Sequence, residues 1–529
     1  MPVNEKSLKP AHSAGKATLI VMFALILSKV TGQVREMLIP GQIGFGMLSD
    51  AYILGFMVPD LVYQLLVGGS IQAAVTPTLS GAIFNNKEKN AWKSVSIFIN
   101  ITAIVMLFAV LIGELLIPFV LPLFSGDKSA QTVALAASVS RMLFPQVFFM
   151  MLAALSIGVL NAYKKFTAAS LGPVLYNICV IISMIMFGNR TADGVVKVAV
   201  GVLISACIYF FIQFYSSREQ FRSYKLSLDY KDAGFRRIVK LAVPTLLSAS
   251  IVQLNLIILS GFTNYYSDGS LTSLRFAITT WQLPYGVFAV AVGGVMLPTL
   301  AGYFAGRDYR SCSKVITRSI RSALFLIIPS SIIFAMLSKE VIRGIFWWGR
   351  SYLSSENIDL TAKMLMWYCI AMVCHSVIYI LNMSFYAIGR TKIPLLNGLL
   401  TLVTNTLFCL IFTRFTGLGV VSMPAAFSLS SIMSVVLLGY LLYKNNRECA
   451  PRKIPQYLLK SLICAIVSAI ALYFIQKTGW DSSSKIIQLV ILVVKSAIGM
   501  CVYFSVALLL QMKEPIYVLD KIKRPFQRK

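Results

Sequence analysis

Apolar residues run along nearly the whole chain in stretches long enough for an α-helix to cross a bilayer, which takes roughly 20 residues. The runs fall at 17–39, 47–84, 94–120, 131–162, 166–188, 194–215, 238–264, 271–305, 319–338, 362–388, 391–413, 417–443, 454–476 and 485–511. In lipid, every backbone polar group must be satisfied internally, which leaves helices and closed barrels. Runs this long and this evenly apolar do not alternate as barrel strands do. The expected fold is an all-α polytopic membrane protein of about fourteen transmembrane helices. Composition agrees, with 57% hydrophobic and 13% charged residues, where soluble domains carry roughly 45–50% and 25%.

The net charge of +28 takes its meaning from where the cations sit. One set of loops holds Lys6, Lys9, Lys16, Lys87, Lys89, Lys93, Lys164 and Lys165, then a dense series from Arg218 to Arg237. Arg307 to Arg321, Arg390, Lys392, Lys444 to Lys453 and the tail from Lys513 to Lys529 continue that side. The opposite loops hold Lys128, Arg190, Lys339, Arg343, Arg350, Arg414, Lys477 and Lys485. This is the positive-inside bias, and it places both termini in the cytoplasm. Topology and anionic lipid account for the cations, so no nucleic-acid partner is expected. The first run is too long for a signal-peptide core. The nine cysteines lie mostly inside spans without metal or disulfide spacing, and His12 and His375 are the only histidines. No cofactor, metal site or catalytic constellation is expected.

A faint internal repeat has a constant offset. Pro59 followed by Gly68 and Gly69 recurs as Pro284 followed by Gly293 and Gly294, and Ala162 with Lys165 recurs as Ala387 with Arg390. Every pair is 225 residues apart. The spacing predicts two six-helix lobes with the same orientation, related by an axis along the membrane normal. The expected division is 1–217, 218–443, and a remainder, 444–529, with two additional helices and a basic tail. Pro59, Gly68, Gly69, Pro284, Gly293 and Gly294 are candidate hinge or cavity-shaping residues, and close helix packing would use the same residue types.

Ionisable residues within spans are costly unless they face protein, a partner or a wet cavity. Lys29, Arg35, Glu36, Asp50, Asp60, Glu114, Arg141, Lys240, Arg275 and Lys495 qualify. Lys240, Lys495, Glu114 and Arg141 are expected to snorkel or to form structural ion pairs. Asp50 lies nine residues before Pro59 and Arg275 nine before Pro284, so the repeat places them at matching depths. Lys29, Arg35, Glu36, Asp50 and Arg275 are the candidate substrate-binding residues, although Arg35 and Glu36 could also simply neutralise each other. A cationic cavity containing arginine suits a phosphorylated substrate.

The stretches SKVTGQVRE (28–36), SDAYILGFMVPDLVYQLLVGGSIQAAVTPTLS (49–80) and WQLPYGVFAVAVGGVMLPTL (281–300) resemble the MurJ/MviN family of bacterial lipid II flippases. That family sits within the larger group of multidrug and oligosaccharidyl-lipid exporters. The resemblance covers essentially the whole chain. It implies a monomeric flippase of the bacterial inner membrane that moves a polyprenyl-pyrophosphate-linked glycan to the outer leaflet by alternating access. It also implies a cationic cavity for the head group and a groove at the two extra helices for the polyprenyl tail. Matched position by position, Lys29 replaces an Arg, Arg35 keeps an Arg, Glu36 replaces an Asp and Asp50 keeps an Asp. Departures are Tyr63 and Gln64 where the family often has an Arg pair, Gly68 where a Glu is common, and Thr279 where a cavity Arg is expected. Arg275, one turn before Thr279, is the candidate substitute. Some relatives hold sodium through carboxylates in the seventh and eleventh spans; here Asn255 and Asn405 are present instead, so sodium is not expected. The alternatives are export of a capsule or exopolysaccharide lipid, favoured by the lost arginines, and a cation-coupled drug exporter, disfavoured by the basic cavity.

Overall fold

The computed structural model describes residues 11–67, 70–348, 353–451, 454–480 and 484–516. Among these residues the chain is helical, without strands. Among the described residues, eleven helices are long and apolar enough to cross a membrane. Three of the expected spans, 17–39, 47–84 and 238–264, are not among the eleven; the last two contribute the shorter apolar stretches Ala74–Phe84 and Gln253–Thr263. Gly68 and Gly69 lie outside the described residues.

The chain divides into two compact units, Met1–Ile257 and Ile258–Lys529. The first contains α1 (Ala11–Leu38), a π-helical turn (Ile39–Ile43), α2 (Met47–Leu66), α3 (Ser70–Phe84), α4 (Glu88–Ser125), α5 (Ala130–Ala162), α6 (Phe166–Phe187) and α7 (Ala192–Ser217). Helix α8 (Ala233–Thr263) runs across the division. The centre of this unit is α5, the most buried of the eleven spans, which packs against α2, α3, α4 and α7. Gly55 lets α2 and α5 approach closely, since a Cβ there would meet Val139 at 2.6 Å. The outer face of α4 is apolar, with Leu115 and Phe119 exposed, as suits a lipid-facing helix.

The link between α7 and α8 is strapped to the N-terminal end of α4. Asn100 donates to the carbonyl of Ser227 at 2.9 Å, and the Ser96 hydroxyl accepts from the Lys225 N–H at 3.1 Å. Ser94 donates to Asp232 at 2.6 Å, and Lys93 stands 3.7 Å from the same carboxylate. The Ser94 hydroxyl, the Phe235 N–H and Lys93 together hold the Asp232 carboxyl below its ordinary range.

The second unit contains α9 (Ser270–Pro284), a π-helical turn (Tyr285–Ala289), α10 (Val290–Ala305), α11 (Tyr309–Met336), α12 (Ser338–Phe346), α13 (Ser355–Ala387), α14 (Lys392–Phe415), α15 (Ser422–Asn445), α16 (Ile454–Lys477) and α17 (Lys485–Leu509). Helix α13 is the hub here, packed by α9, α10, α11, α12 and α15. The two final helices cluster with this unit: they pack on each other and on α11, where Tyr457 donates to the Arg321 carbonyl and Ser468 to the Gly499 carbonyl.

The offset of 225 residues reappears as secondary structure. Both ends of α5 and α13 correspond at that spacing. Ser129 caps α5 by accepting from Thr132 N–H, and Ser354 caps α13 by accepting from Asn357 N–H. Lys164 and Gly389 both adopt left-handed backbone conformations, and the next residue in each case donates back to the final turn, Lys165 to Leu160 and Arg390 to Phe385. The matched Ala162–Lys165 and Ala387–Arg390 pairs therefore flank the same helix-terminating turn.

The proline segments diverge between copies. Pro59 sits inside α2, which continues to Leu66, whereas Pro284 ends α9 and is followed at once by the π-helical turn. Proline lacks the N–H that the helix ladder needs, and a widened turn absorbs the missing bond. The paired glycines also separate in role. A Cβ on Gly293 would meet Tyr379 at 2.6 Å, while Gly294 has nothing within 4 Å.

Candidate functional site

One polar group in the first unit forms where α1 packs on α6. Four residues separate Thr31 from Arg35, so both fall on one side of α1. Asn177 of α6 donates to the Ser28 carbonyl at 3.2 Å and to the Thr31 hydroxyl at 3.4 Å, which fixes its amide. The amide oxygen then accepts from Arg35 Nη1 at 3.4 Å, while Arg35 Nη2 pairs with Glu36 at 3.0 Å. Glu36 is buried, and a quarter of the Arg35 side chain remains exposed. A guanidinium carries five N–H donors, so these contacts orient Arg35 and leave donors for a further anion. Tyr52 and Tyr176 lie within electrostatic range of Arg35, and Asp60 lies within range of Tyr63 and Tyr176. Lys29, two turns earlier on α1, is exposed and has no ion-pair partner among the described residues.

Asp50 is placed differently. It is fully buried in the first turn of α2, where a helix N-terminus favours a carboxylate. Lys128, from the loop between α4 and α5, reaches it at 2.7 Å, and each side chain is about 1% exposed. Asp50 thus presents no surface to a ligand in this conformation. Arg275 is half-buried on α9 of the second unit. Thr279 donates to the Arg275 carbonyl at 3.1 Å, so the two residues occupy successive turns of one helix. Of the candidate residues, the structure joins Arg35 with Glu36, and it joins Asp50 with Lys128.

Sequence reasoning passed over Asn177, which positions Arg35, and treated Lys128 only as an outer-loop cation. A polar residue inside the apolar run 166–188 was the available signal for Asn177; Lys128 had none. An aromatic enclosure in the second unit was also missed. His375 stacks on Phe427 at 5.0 Å, with Trp281 and Tyr285 beside it. Lys495, expected to snorkel or to form a structural ion pair, stands 3.8 Å from Glu340. Lys240 and Arg141 are exposed and Glu114 is half-buried. Among the described residues, no three His, Cys, Asp or Glu side chains group as a metal site would require.

By sequence, comparison with known proteins leads to one family. The family model described as lipid II flippase MurJ matches residues 41–491. A probable lipid II flippase MurJ from Treponema pallidum (strain Nichols) is 26% identical over 478 residues, 88% of each chain. One from Haemophilus influenzae is 25% identical over 517 residues, 92% of this chain and 98% of its own. A solved lipid II flippase MurJ in an inward closed conformation superposes with a TM-score of 0.78 at 23% identity, over 95% of this chain and 100% of the other. The family match spans both units, from the π-helical turn before α2 into α17, and the chain belongs to the lipid II flippase MurJ family.

Proposed function

We propose that this protein translocates lipid II, the lipid-linked peptidoglycan precursor, from the inner to the outer leaflet of the bacterial cytoplasmic membrane. The observation that carries the reading is the family match over residues 41–491, together with an oriented, partly exposed Arg35 held by Glu36 and Asn177. In this reading Lys29, Arg35 and Arg275 meet the pyrophosphate and head group, since guanidinium forks suit phosphate oxygens. Glu36 and Asp50 act as the ion-pair partners that set the local charge. The repeated lobes alternate access around the substrate, with Pro59 and the Pro284 turn as bending points and Gly293 as a packing contact. Gly294 belongs to the same proposed bending segment as Pro284. The positive-inside bias puts both termini in the cytoplasm. Membrane potential supplies about 2.3 kcal/mol per unit charge per 100 mV to a charged translocation step.

A second reading is supported by Tyr63 and Gln64, which stand where an arginine pair is common in the resembling family: a related flippase for another polyprenyl-linked glycan. Both readings are tested by replacing an essential lipid II flippase with this chain and measuring outer-leaflet lipid II directly. Restored exposure that depends on Arg35 supports the first. Growth without restored lipid II exposure overturns it in favour of the second.

A further inference from the structure

Helices α11, α12, α16 and α17 line a cavity of about 630 Å³ in the second unit that contains none of the residues proposed to bind the substrate head group. Its walls are held by close packing. Phe346 of α12 stacks on Phe276 at 4.0 Å, and a Cβ on Gly344 would meet Leu492 of α17 at 2.9 Å. One part of the lining is polar, with Glu340, Arg343, Gln476 and Lys495, and the other is apolar, with Met336, Met366, Ile491 and Leu492.

The charges do not balance within the cavity. The Lys495 side chain is only 4% exposed, yet its contacts are long: Glu340 at 3.8 Å and the Trp480 carbonyl at 3.5 Å. Glu340 is itself a third exposed and also faces Gln476 at 3.5 Å. Arg343 makes no ion pair among the described residues. Lys485, outside the cavity lining, lies over the Trp348 ring and donates to the Arg343 carbonyl. Lys339 is already paired with Asp359 at 2.8 Å. A buried ammonium with three donors and two long contacts is poorly compensated, and a ligand anion would complete it. Ile486, Val490 and Val493 of α17 and Phe474 of α16 expose apolar side chains on the helices that form the cavity. An occupant that joins a phosphate to hydrocarbon matches both surfaces.

We propose that this cavity binds the phosphate-bearing head of an anionic membrane phospholipid, with Lys495 and Arg343 as its cationic contacts. The proposal requires only that the chain spans a membrane, so it stands or falls separately from lipid II translocation. Trp480 lines the cavity and reports its occupancy. The full chain in nonionic detergent is titrated with phosphatidylglycerol brominated on its acyl chains, and tryptophan quenching is followed, with Trp480→Phe identifying the signal from this site. Saturable quenching is expected, weakened about ten-fold by Arg343→Gln and again by Lys495→Met, as loss of a charge-assisted contact implies. If Lys495→Met alone does not fold, Lys495→Met with Glu340→Gln keeps the local charge balanced and serves in its place. Equal quenching by brominated diacylglycerol, or an unchanged curve in the variants, overturns the proposal and leaves Lys495–Glu340 as a structural pair. Displacement of the lipid by inorganic phosphate alone overturns the assignment to a lipid.

Discussion

Removing one partner of the Asp50–Lys128 pair should destabilise the first unit far more than removing a surface ion pair would. The two side chains are about 1% exposed and 2.7 Å apart. An exposed pair contributes about 0–1 kcal/mol, whereas stranding one charge of a buried pair costs about 3–5 kcal/mol. Lys128→Met leaves a carboxylate out of water, and Asp50→Asn leaves an ammonium. Both belong to the second class, and the helix N-terminus softens the first slightly because it favours the carboxylate. Lys128→Met combined with Asp50→Asn removes both charges from the buried site, so it should recover much of the loss. The measurement is unfolding of the purified chain in mixed micelles across this double-mutant cycle, with coupling of about 1–3 kcal/mol expected between the two sites. Because burial limits screening, the losses should be nearly the same at low and high salt. Losses below about 1 kcal/mol in both single variants, or losses that vanish in high salt, would refute the argument by placing the pair in solvent.

Three further outcomes follow from particular contacts. Arg275→Ala should lower complementation of a flippase-depleted strain, and adding Thr279→Arg should recover part of it, since the two positions are one turn apart on α9; full complementation by the single variant removes Arg275 from the proposed site. Gly293→Val should destabilise the second unit by about 1–3 kcal/mol through overpacking against Tyr379, while Gly294→Ala, with open space around it, should not lower the unfolding temperature. The Asp232 carboxyl is held below its unfolded value, so its contribution is present above the ordinary Asp range and is lost as pH falls through the lowered folded value. Protection of the amides in residues 225–232, taken relative to their intrinsic exchange rates, should therefore fall on acidification, and Asp232→Asn should abolish that dependence.

The helical architecture was legible because a bilayer demands length and apolarity, and both are one-dimensional properties of sequence. The repeat was legible for a narrower reason. Four of its matched positions flank one backbone event, the left-handed turn after α5 and α13, where Lys164 and Gly389 occupy equivalent places. Serine caps at Ser129 and Ser354 mark the other end of the same helices. These are local signals, carried by a few adjacent residues. Helix α12 escaped because it is short: its buried Val341, Ile342 and Phe346 do not make a span-length run, and only its tertiary partner Phe276 shows why the segment folds inward.

The charges at depth expose the opposite limit. Sequence located Asp50 and Arg35 together in the first two spans and assigned both to one cavity on that ground. The structure separates them by partner: Arg35 is held by a neighbour in sequence and by Asn177, 142 positions away, while Asp50 is engaged by Lys128 from a loop 78 positions away. Depth in a membrane is inferable from the hydropathy of the surrounding residues, but the identity of a charge's partner is a long-range fact with no local signature. The difference bears directly on function. An arginine with unused donors and a quarter of its surface exposed can receive a phosphate, whereas a carboxylate neutralised at 2.7 Å and closed off from solvent holds helices in place. Two residues of equal apparent standing in the sequence thus divide, on geometry alone, into a group with donors open to a ligand and a group closed off by its partner.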